Sequence, residues 1–358
     1  MKYAIIGCSR VAVNHIKSAI DNNMEIVGVC DISEEAMDNL LKEFNLDKDP
    51  GIKRFTDFKE MIGQQKPAIV SITTGSGSHA KIALGCIEEG VNLIIEKPIA
   101  MSITDADEIL KAADSKGLKV CVSHQNRYNI AIQKLRKALE EGRFGKLSHG
   151  SINVRWNRDK AYYDLANWRG TWAQDGGCLM NQCVHGIDLL IWMMGPVTEV
   201  YGVTRQHFHD YIEAEDLGTA ILKFESGAVG TIEGTTNIYP ENLEETLCIF
   251  GETGTVKIGG TSVNNIDVWK FADERPEDKE ALGFHEETEN VYGNGHYHLF
   301  KDMINAVKEN KVPYVNGEAG RNAIEIILAI YKSQKTGLPV KLPLKGFASI
   351  DMAGEFDK

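Results

Sequence analysis

Met1-Lys2-Tyr3-Ala4-Ile5-Ile6-Gly7-Cys8-Ser9-Arg10-Val11-Ala12 opens the chain and decides its fold. Tyr3–Ile6 is a short apolar run on consecutive residues, as a strand buried on both faces requires. Gly7 then turns the chain and a helical pattern follows. Gly7 to Ala12 is a degenerate Gly-x-Gly-x-x-Gly, with Ser9 at the second glycine position and Ala12 at the third. In the full pattern the glycines let the backbone approach a pyrophosphate, and the helix N-terminus offers free N–H groups and its positive dipole end. Taken alone, a Gly/Ser turn between a strand and a helix is often only a turn.

The neighbouring sequence strengthens the dinucleotide reading. Further apolar runs at Ile26–Cys30, Ala68–Ile72, Val91–Ile95 and Lys119–Val122 alternate with helical patterns. One such helix is marked by Ile82, Ala83, Cys86 and Ile87, with Gly90 closing it. This alternation predicts a doubly wound parallel sheet. Asp31 ends the second strand, 24 residues after Gly7. A carboxylate near that spacing can bond the ribose hydroxyls of NAD and repels the 2′-phosphate of NADP. No basic residue follows in Ile32-Ser33-Glu34-Glu35, so NAD is preferred to NADP. The fourth strand ends in Glu96-Lys97-Pro98, which puts Lys97 at the carboxyl edge of the sheet, where ligands of open α/β sheets bind.

After Asn129 the pattern changes. A helix over Ile130–Glu141 is followed by longer strand-like runs at 147–156, 199–209, 217–224, 228–236, 245–250 and 255–258. Turns such as Glu225-Ser226-Gly227 join them at hairpin distance. The expectation is an α+β domain with a mostly antiparallel, open sheet. One face would carry helices 179–194 and 296–309, and the other would be free to pair with another subunit. The domains are read as 1–124, dinucleotide-binding, and 125–358, for substrate binding and oligomerisation. The last helix (321–336) is a candidate to pack back on the first domain.

Within 179–194, Met180, Val184, Ile187, Ile191 and Met194 recur at helical spacing and form the buried face. Asn181, His185, Asp188 and Trp192 run beside them. A solvent stripe would favour Lys and Glu, so this one reads as the lining of a cleft. Tyr162, Tyr163, Trp168 and Trp172 with Arg155, Arg158 and Arg169 make an aromatic and cationic stretch. Rings pack on sugar C–H faces, and arginines take carboxylate or phosphate bidentately.

Composition narrows the classes. The chain has 358 residues, 43% hydrophobic and 25% charged, enough for two globular domains. Its 39 basic and 51 acidic residues give a net charge of -12, which argues against a nucleic-acid or anionic-membrane binder. Seven scattered cysteines without CxxC spacing read as reduced thiols. The first residues do not read as a signal peptide, and no apolar run reaches the ~18 residues of a membrane span. A cytoplasmic protein is expected. The paired histidines His207/His209 and His296/His298 lack carboxylates at ligand spacing, so no metal is expected.

Gly7-x-x-Arg10-x-Ala12, Asp31, Glu96-Lys97-Pro98, Asn126-Arg127-Tyr128, Asp175-Gly176-Gly177 and His185-Gly186-Ile187-Asp188 together resemble the glucose–fructose oxidoreductase / inositol dehydrogenase / MocA (Gfo/Idh/MocA) family over essentially the whole chain. The resemblance implies a Rossmann domain, NAD(P), hydride transfer on sugars, inositols or related alcohols, and a homodimer or tetramer. It implies that Lys97 contacts substrate and nicotinamide and that His185 is an acid/base. Inositol-type members carry an aspartate four residues before this histidine. Here that residue is Asn181, which cannot take a proton. This departure, with the stretch from Trp156 to Trp172, looks more like members acting on nucleotide-linked sugar acids.

The expected catalytic residues are Lys97, His185 and Asn181. The expected cofactor contacts are Gly7, Ser9, Arg10, Val11, Asp31, Ile32, Thr73, Thr74, His79, Glu96, Lys97 and Gln125. The expected substrate contacts are Lys97, Arg127, Arg155, Tyr163, Trp168, Arg169, Asn181 and His185. His185 is preferred as base because histidine needs almost no shift to work near neutrality, whereas lysine starts near ~10.4; Lys97 as the base is the alternative sharing. The alternative functions are inositol dehydrogenase and a non-catalytic NAD-binding regulator on the same fold.

Overall fold

The computed structural model describes residues 1–287 and 293–356. The chain divides into two units, Met1–Ser123 with His296–Arg321, and His124–Gly295 with Asn322–Lys358.

In the first unit six strands form one parallel sheet: β1 (Lys2–Ile6), β2 (Glu25–Cys30), β3 (Lys53–Phe55), β4 (Ile69–Ile72), β5 (Asn92–Ile95) and β6 (Val120–Val122). Their order is β3-β2-β1-β4-β5-β6. Helices α1 (Ala12–Asp21), α2 (Glu34–Glu43), α3 (Phe58–Gln65), α4 (His79–Glu88) and α5 (Ile103–Ser115) alternate with the strands. Every residue of β4 is buried, which is why these strands read as unbroken apolar runs. β3 is the strand the sequence reading lacks. It is three residues long and two of them, Lys53 and Arg54, are exposed, so it has no apolar signature.

In the second unit eight strands form a mixed sheet: β7 (Leu147–Arg155), β8 (Val197–Arg205), β9 (Leu217–Phe224), β10 (Val229–Thr235), β11 (Glu244–Gly251), β12 (Gly254–Gly259), β13 (Asn265–Phe271) and β14 (Val340–Lys341). The order is β13-β12-β11-β7-β10-β9-β8-β14, with β7 and β10 parallel and the other pairs antiparallel. Four helices, α6 (Ile130–Glu140), α7 (Lys160–Tyr163), α8 (Gly177–Asn181) and α9 (Val184–Met194), precede β8, and α10 (Asp278–Ala281) comes after β13; of the last two helices of the chain, α11 (Gly295–Glu309) groups from His296 on with the first unit, and α12 (Gly317–Thr336) groups from Asn322 on with the second. β13 escapes the sequence reading because a register shift against β12 breaks its alternation.

One face of this sheet is covered. A side chain at Gly218 or Gly234 would strike Leu179 of α8, one at Gly150 would meet Leu190 and Met194 of α9, and one at Gly202 would meet Ile330 of α12. The opposite face is open, with Tyr201, Val203, Ile221 and Val229 exposed on it. The helix over 296–309 does not cover this sheet, contrary to the sequence expectation. It groups with the first unit, where Phe300 packs edge-on against Tyr3 and His15. Helical periodicity identifies a buried face but not the sheet that buries it. The single helix expected over 179–194 is two, α8 and α9. The break is marked by Cys183 N–H bonding five residues back to the Cys178 carbonyl at 3.0 Å.

Candidate active site

The cofactor side is assembled in the first unit at the carboxyl ends of β1, β2, β4 and β5. Gly7 has φ +92°, and a Cβ there would lie 2.6 Å from the Thr74 backbone nitrogen. Only glycine fits that turn. The loop after it is tied down from two sides. Cys8 N–H donates to Asp31 Oδ2 at 2.7 Å, and Ser33 N–H donates to Asp31 Oδ1 at 2.9 Å. Ser9 Oγ donates to the Thr73 carbonyl at 3.2 Å, and Thr73 Oγ1 donates back to the Gly7 carbonyl at 2.5 Å. Ser9 thus replaces a glycine with a hydrogen bond to the next loop.

The N-terminus of α1 suits an anion. Its N-cap, Val11, provides no side-chain cap, and its first turn holds no acidic residue. By contrast α2, α3 and α5 are capped by Ser33, Asp57 and Ser102. Ala12 N–H and Asn14 N–H bond the Ser9 and Val11 carbonyls at 2.9 and 3.1 Å, and what this start offers a pyrophosphate is its uncapped positive dipole end. Arg10 is exposed, Val11 half-buried, and Ile32, next to Asp31, 95% exposed.

Thr74, His79 and Glu96 complete this side. His79 is buried between two carbonyls, with Nδ1 2.8 Å from Pro98 O and Nε2 3.0 Å from Thr74 O. Burial keeps its pKa below the ordinary histidine value, so the neutral ring donates to one of these carbonyls at a time. Glu96 is buried at the end of β5, and its neighbour Lys97 is half-buried. The Lys97–Pro98 peptide is cis.

The substrate-side candidates lie in the second unit. His185 is in the first turn of α9 and 7% exposed. Its ring meets that of His124 edge to face, centroids 5.7 Å apart. His124 is buried and escaped the sequence reading; it lies far from His185 in sequence, with no motif linking the two. Asn181 donates to Asp175 Oδ1, and Asp175 Oδ2 accepts from Gly170 N–H at 2.7 Å. The carboxylate that is missing at position 181 is therefore present one contact away, in the Asp175-Gly176-Gly177 turn.

Several predicted contacts have other partners. Arg127 makes a buried bidentate pair with Asp188, at 2.7 and 2.6 Å, and stacks on Trp192 at 4.7 Å. It fastens the turn Gln125–Tyr128, which also carries Gln125, to the helix of His185. Arg155 does not converge with His185. It projects from the open face of the sheet, where it pairs with Glu233 and Glu244, and α9 covers the other face. Tyr163 is buried against His209 and Tyr211, its hydroxyl 3.4 Å from Thr236 Oγ1, so it is a packing residue. Its neighbour Tyr162 lies instead among polar and cationic side chains. Gln182 donates to the Tyr162 hydroxyl at 3.1 Å, and the Arg158 and Arg169 guanidiniums lie over its ring at 5.1 and 4.3 Å. Arg169 also lies over Trp168 at 4.9 Å. Neither Arg158 nor Arg169 has a carboxylate partner among the described residues, although the chain is acidic overall.

Among the described residues no helix is long and apolar enough to cross a membrane.

Known proteins share this fold. The WlbA dehydrogenase of Bordetella pertussis, solved with NADH and UDP-GlcNAcA, is 36% identical, covers 96% of this chain and 98% of its own, and superposes with a TM-score of 0.88. The WlbA dehydrogenase of Chromobacterium violaceum, solved with the same two ligands, is also 36% identical with a TM-score of 0.88, over 96% of both chains. The myo-inositol 2-dehydrogenase of Thermotoga maritima is 24% identical over 96% of this chain and 98% of its own. Residues 1–124 match the oxidoreductase family's NAD-binding Rossmann fold, and residues 136–342 match its C-terminal alpha/beta domain. The chain therefore belongs to the Gfo/Idh/MocA oxidoreductase family and is an NAD-binding oxidoreductase.

Proposed function

We propose that the protein oxidises a secondary alcohol of a nucleotide-linked sugar acid with NAD. The observation that carries this reading is the pair Arg158 and Arg169 beside Tyr162, cations with no carboxylate partner among the described residues. Such a pair suits an anion. The WlbA dehydrogenases at 36% identity, solved with UDP-GlcNAcA, support the same class of substrate. Asn181 in place of an aspartate weighs against an inositol.

NAD, when bound, accepts the hydride. Gly7, Ser9 and the start of α1 would hold its pyrophosphate, and Asp31 its ribose hydroxyls. A neutral His185 receives the hydroxyl proton as the carbon gives up its hydride. The Lys97 ammonium donates a hydrogen bond to the developing alkoxide, stabilising the charge that forms in the transition state. Asn181, held by Asp175, is positioned to bond the substrate. Arg127 and Arg155 are assigned to structure, and Arg158 and Tyr162 join Trp168 and Arg169 as substrate contacts. The open sheet face, with Tyr201 paired to Ile221 across β8 and β9, supports association of copies through that face; light scattering showing only monomer would remove this part of the reading.

The test is NADH absorbance at 340 nm with UDP-GlcNAcA, free glucuronic acid and myo-inositol. UDP-GlcNAcA should be oxidised, and Lys97→Ala and His185→Ala should each lower kcat by about 10²–10⁴. Equal turnover of myo-inositol, or full activity in either variant, would sink the proposal.

A further inference from the structure

Behind Lys97, four polar side chains from four elements of the first unit meet in the core. His15 of α1 has Nδ1 2.9 Å from Ser71 Oγ of β4 and Nε2 2.9 Å from Glu96 Oε1. Glu96 Oε1 is also 3.9 Å from His296 Nε2 of α11. The other carboxylate oxygen, Oε2, accepts the Lys97 backbone N–H at 3.3 Å. All four side chains are buried.

The hydrogen bonds run in one consistent direction. A neutral His15 with its proton on Nε2 accepts from the Ser71 hydroxyl and donates to Glu96, so both of its ring nitrogens are matched. Burial favours that neutral form and lowers the His15 pKa. Burial also works against a charge on Glu96, but the hydrogen bond from His15 and the nearness of the His296 ring prevail and hold it well below the usual carboxylate range. The centre of the cluster is thus a buried carboxylate. The same three ligand-type residues, His15, Glu96 and His296, have donor atoms within 4.8 Å of one another. The direct His15–Glu96 bond and the Ser71 contact already account for both nitrogens of His15, without an ion.

A buried anion is costly to keep for packing alone, since apolar residues of similar volume often serve stability as well or better. Its position gives it another use. His15 lies on α1, one turn beyond the uncapped N-terminus, and Glu96 immediately precedes Lys97. We propose that His15 and Glu96 are positioning residues that lock the cofactor-receiving helix to the strand end carrying Lys97, so that the lysine amine is set in register with bound NAD. This rests on the role given to Lys97 above.

Two variants at one site separate positioning from packing. His15→Phe keeps a ring beside Phe300 and His296 but removes both hydrogen bonds. His15→Gln retains a donor for Glu96. The first readout needs no substrate: acetylation of Lys97 by acetic anhydride in the NAD-loaded protein, followed by peptide mass spectrometry, with exposed Lys111 as internal reference. His15→Phe should change the Lys97 rate relative to Lys111 by threefold or more, and His15→Gln should leave it within 1.5-fold, as estimates of what loss or retention of one buried hydrogen bond does. The second readout is turnover of UDP-GlcNAcA. His15→Phe should lose about tenfold or more in kcat, with NAD affinity and KM within about threefold, and His15→Gln should recover most of it. Unchanged Lys97 labelling and kcat in folded His15→Phe would overturn the proposal. So would a loss explained wholly by weaker NAD binding, or a stoichiometric metal in the purified protein. If His15→Phe fails to fold, Glu96→Gln decides. Its amide can still accept from His15 but turns an N–H toward that of Lys97, and unchanged labelling there is equally fatal. Activity persisting in Lys97→Ala would defeat the reading of Lys97 itself, a result distinct from any of these.

Discussion

The two units build their sites in different ways. In the first, the backbone sets the shape: at Gly7, with φ +92°, a Cβ would lie 2.6 Å from the Thr74 backbone nitrogen, and the loop is tied to Asp31 and Thr73. In the second, the surroundings of His185 are set by side-chain pairings, most of them between distant parts of the chain. Arg127 grips Asp188 on the same helix, His124 faces the imidazole, and Asp175 holds Asn181. A turn that only glycine can make leaves a mark at one place in the sequence. A set of pairings between remote residues leaves none until the chain has folded.

The largest effect should come from breaking the backbone-built site. Gly7→Ala forces an L-residue into positive φ and presses a methyl group on the Thr74 amide. Strain and overpacking together should cost about 2–4 kcal/mol in urea unfolding. NAD affinity, measured by fluorescence titration, should fall more than tenfold. Unaltered affinity would mean that the loop tolerates displacement and that its backbone shape is not what recognises the cofactor.

The same contrast explains what could be read from sequence. The six-stranded sheet was legible in five of its strands because burial on both faces leaves apolar runs; β3, with exposed Lys53 and Arg54, has no such signature. The open second sheet was legible as alternation until β13, where a register shift interrupts it. Gly7, Asp31 and Lys97 could be placed by their position relative to strand ends. Arg155 could not, because its use depends on which face of β7 it leaves, and β7 shows that only once α9 is seen to cover the other face. Tyr163 and Tyr162 are adjacent and chemically alike; only the fold distinguishes the packed ring from the one that two arginines approach. His15 and His296 lie at opposite ends of the chain and meet at Glu96, a convergence no local spacing encodes.

A smaller and more graded effect should come from a buried group of the second unit, Glu215. It locks the start of α8: its backbone carbonyl accepts from Cys178 N–H at 3.0 Å, and its Oε1 accepts from Leu179 N–H at 2.8 Å. The Tyr331 hydroxyl lies between the Gly176 carbonyl and Glu215 Oε1, the latter at 2.8 Å. One hydroxyl proton cannot serve both acceptors, so the second contact is satisfied when Glu215 itself carries a proton. Burial acts in the same sense and pushes its pKa up to about 8. In the folded protein Glu215 therefore holds a proton that the unfolded chain releases near ~4.3. Between those values the folded state binds more protons than the unfolded state, so stability falls as pH rises, with a slope of up to about 1.4 kcal/mol per pH unit from this one group. Below that window both states are protonated and the group contributes no slope; above about 8 the full penalty is present and constant. Glu215→Gln has the shape of the protonated acid and no charge to acquire. Urea unfolding at a series of pH values should show the variant gaining on the wild type from pH 5 to 8 and then running parallel to it. A difference that does not vary with pH would mean that Glu215 is ionised in the folded protein, and that the start of α8 is locked by an anion rather than by a neutral acid.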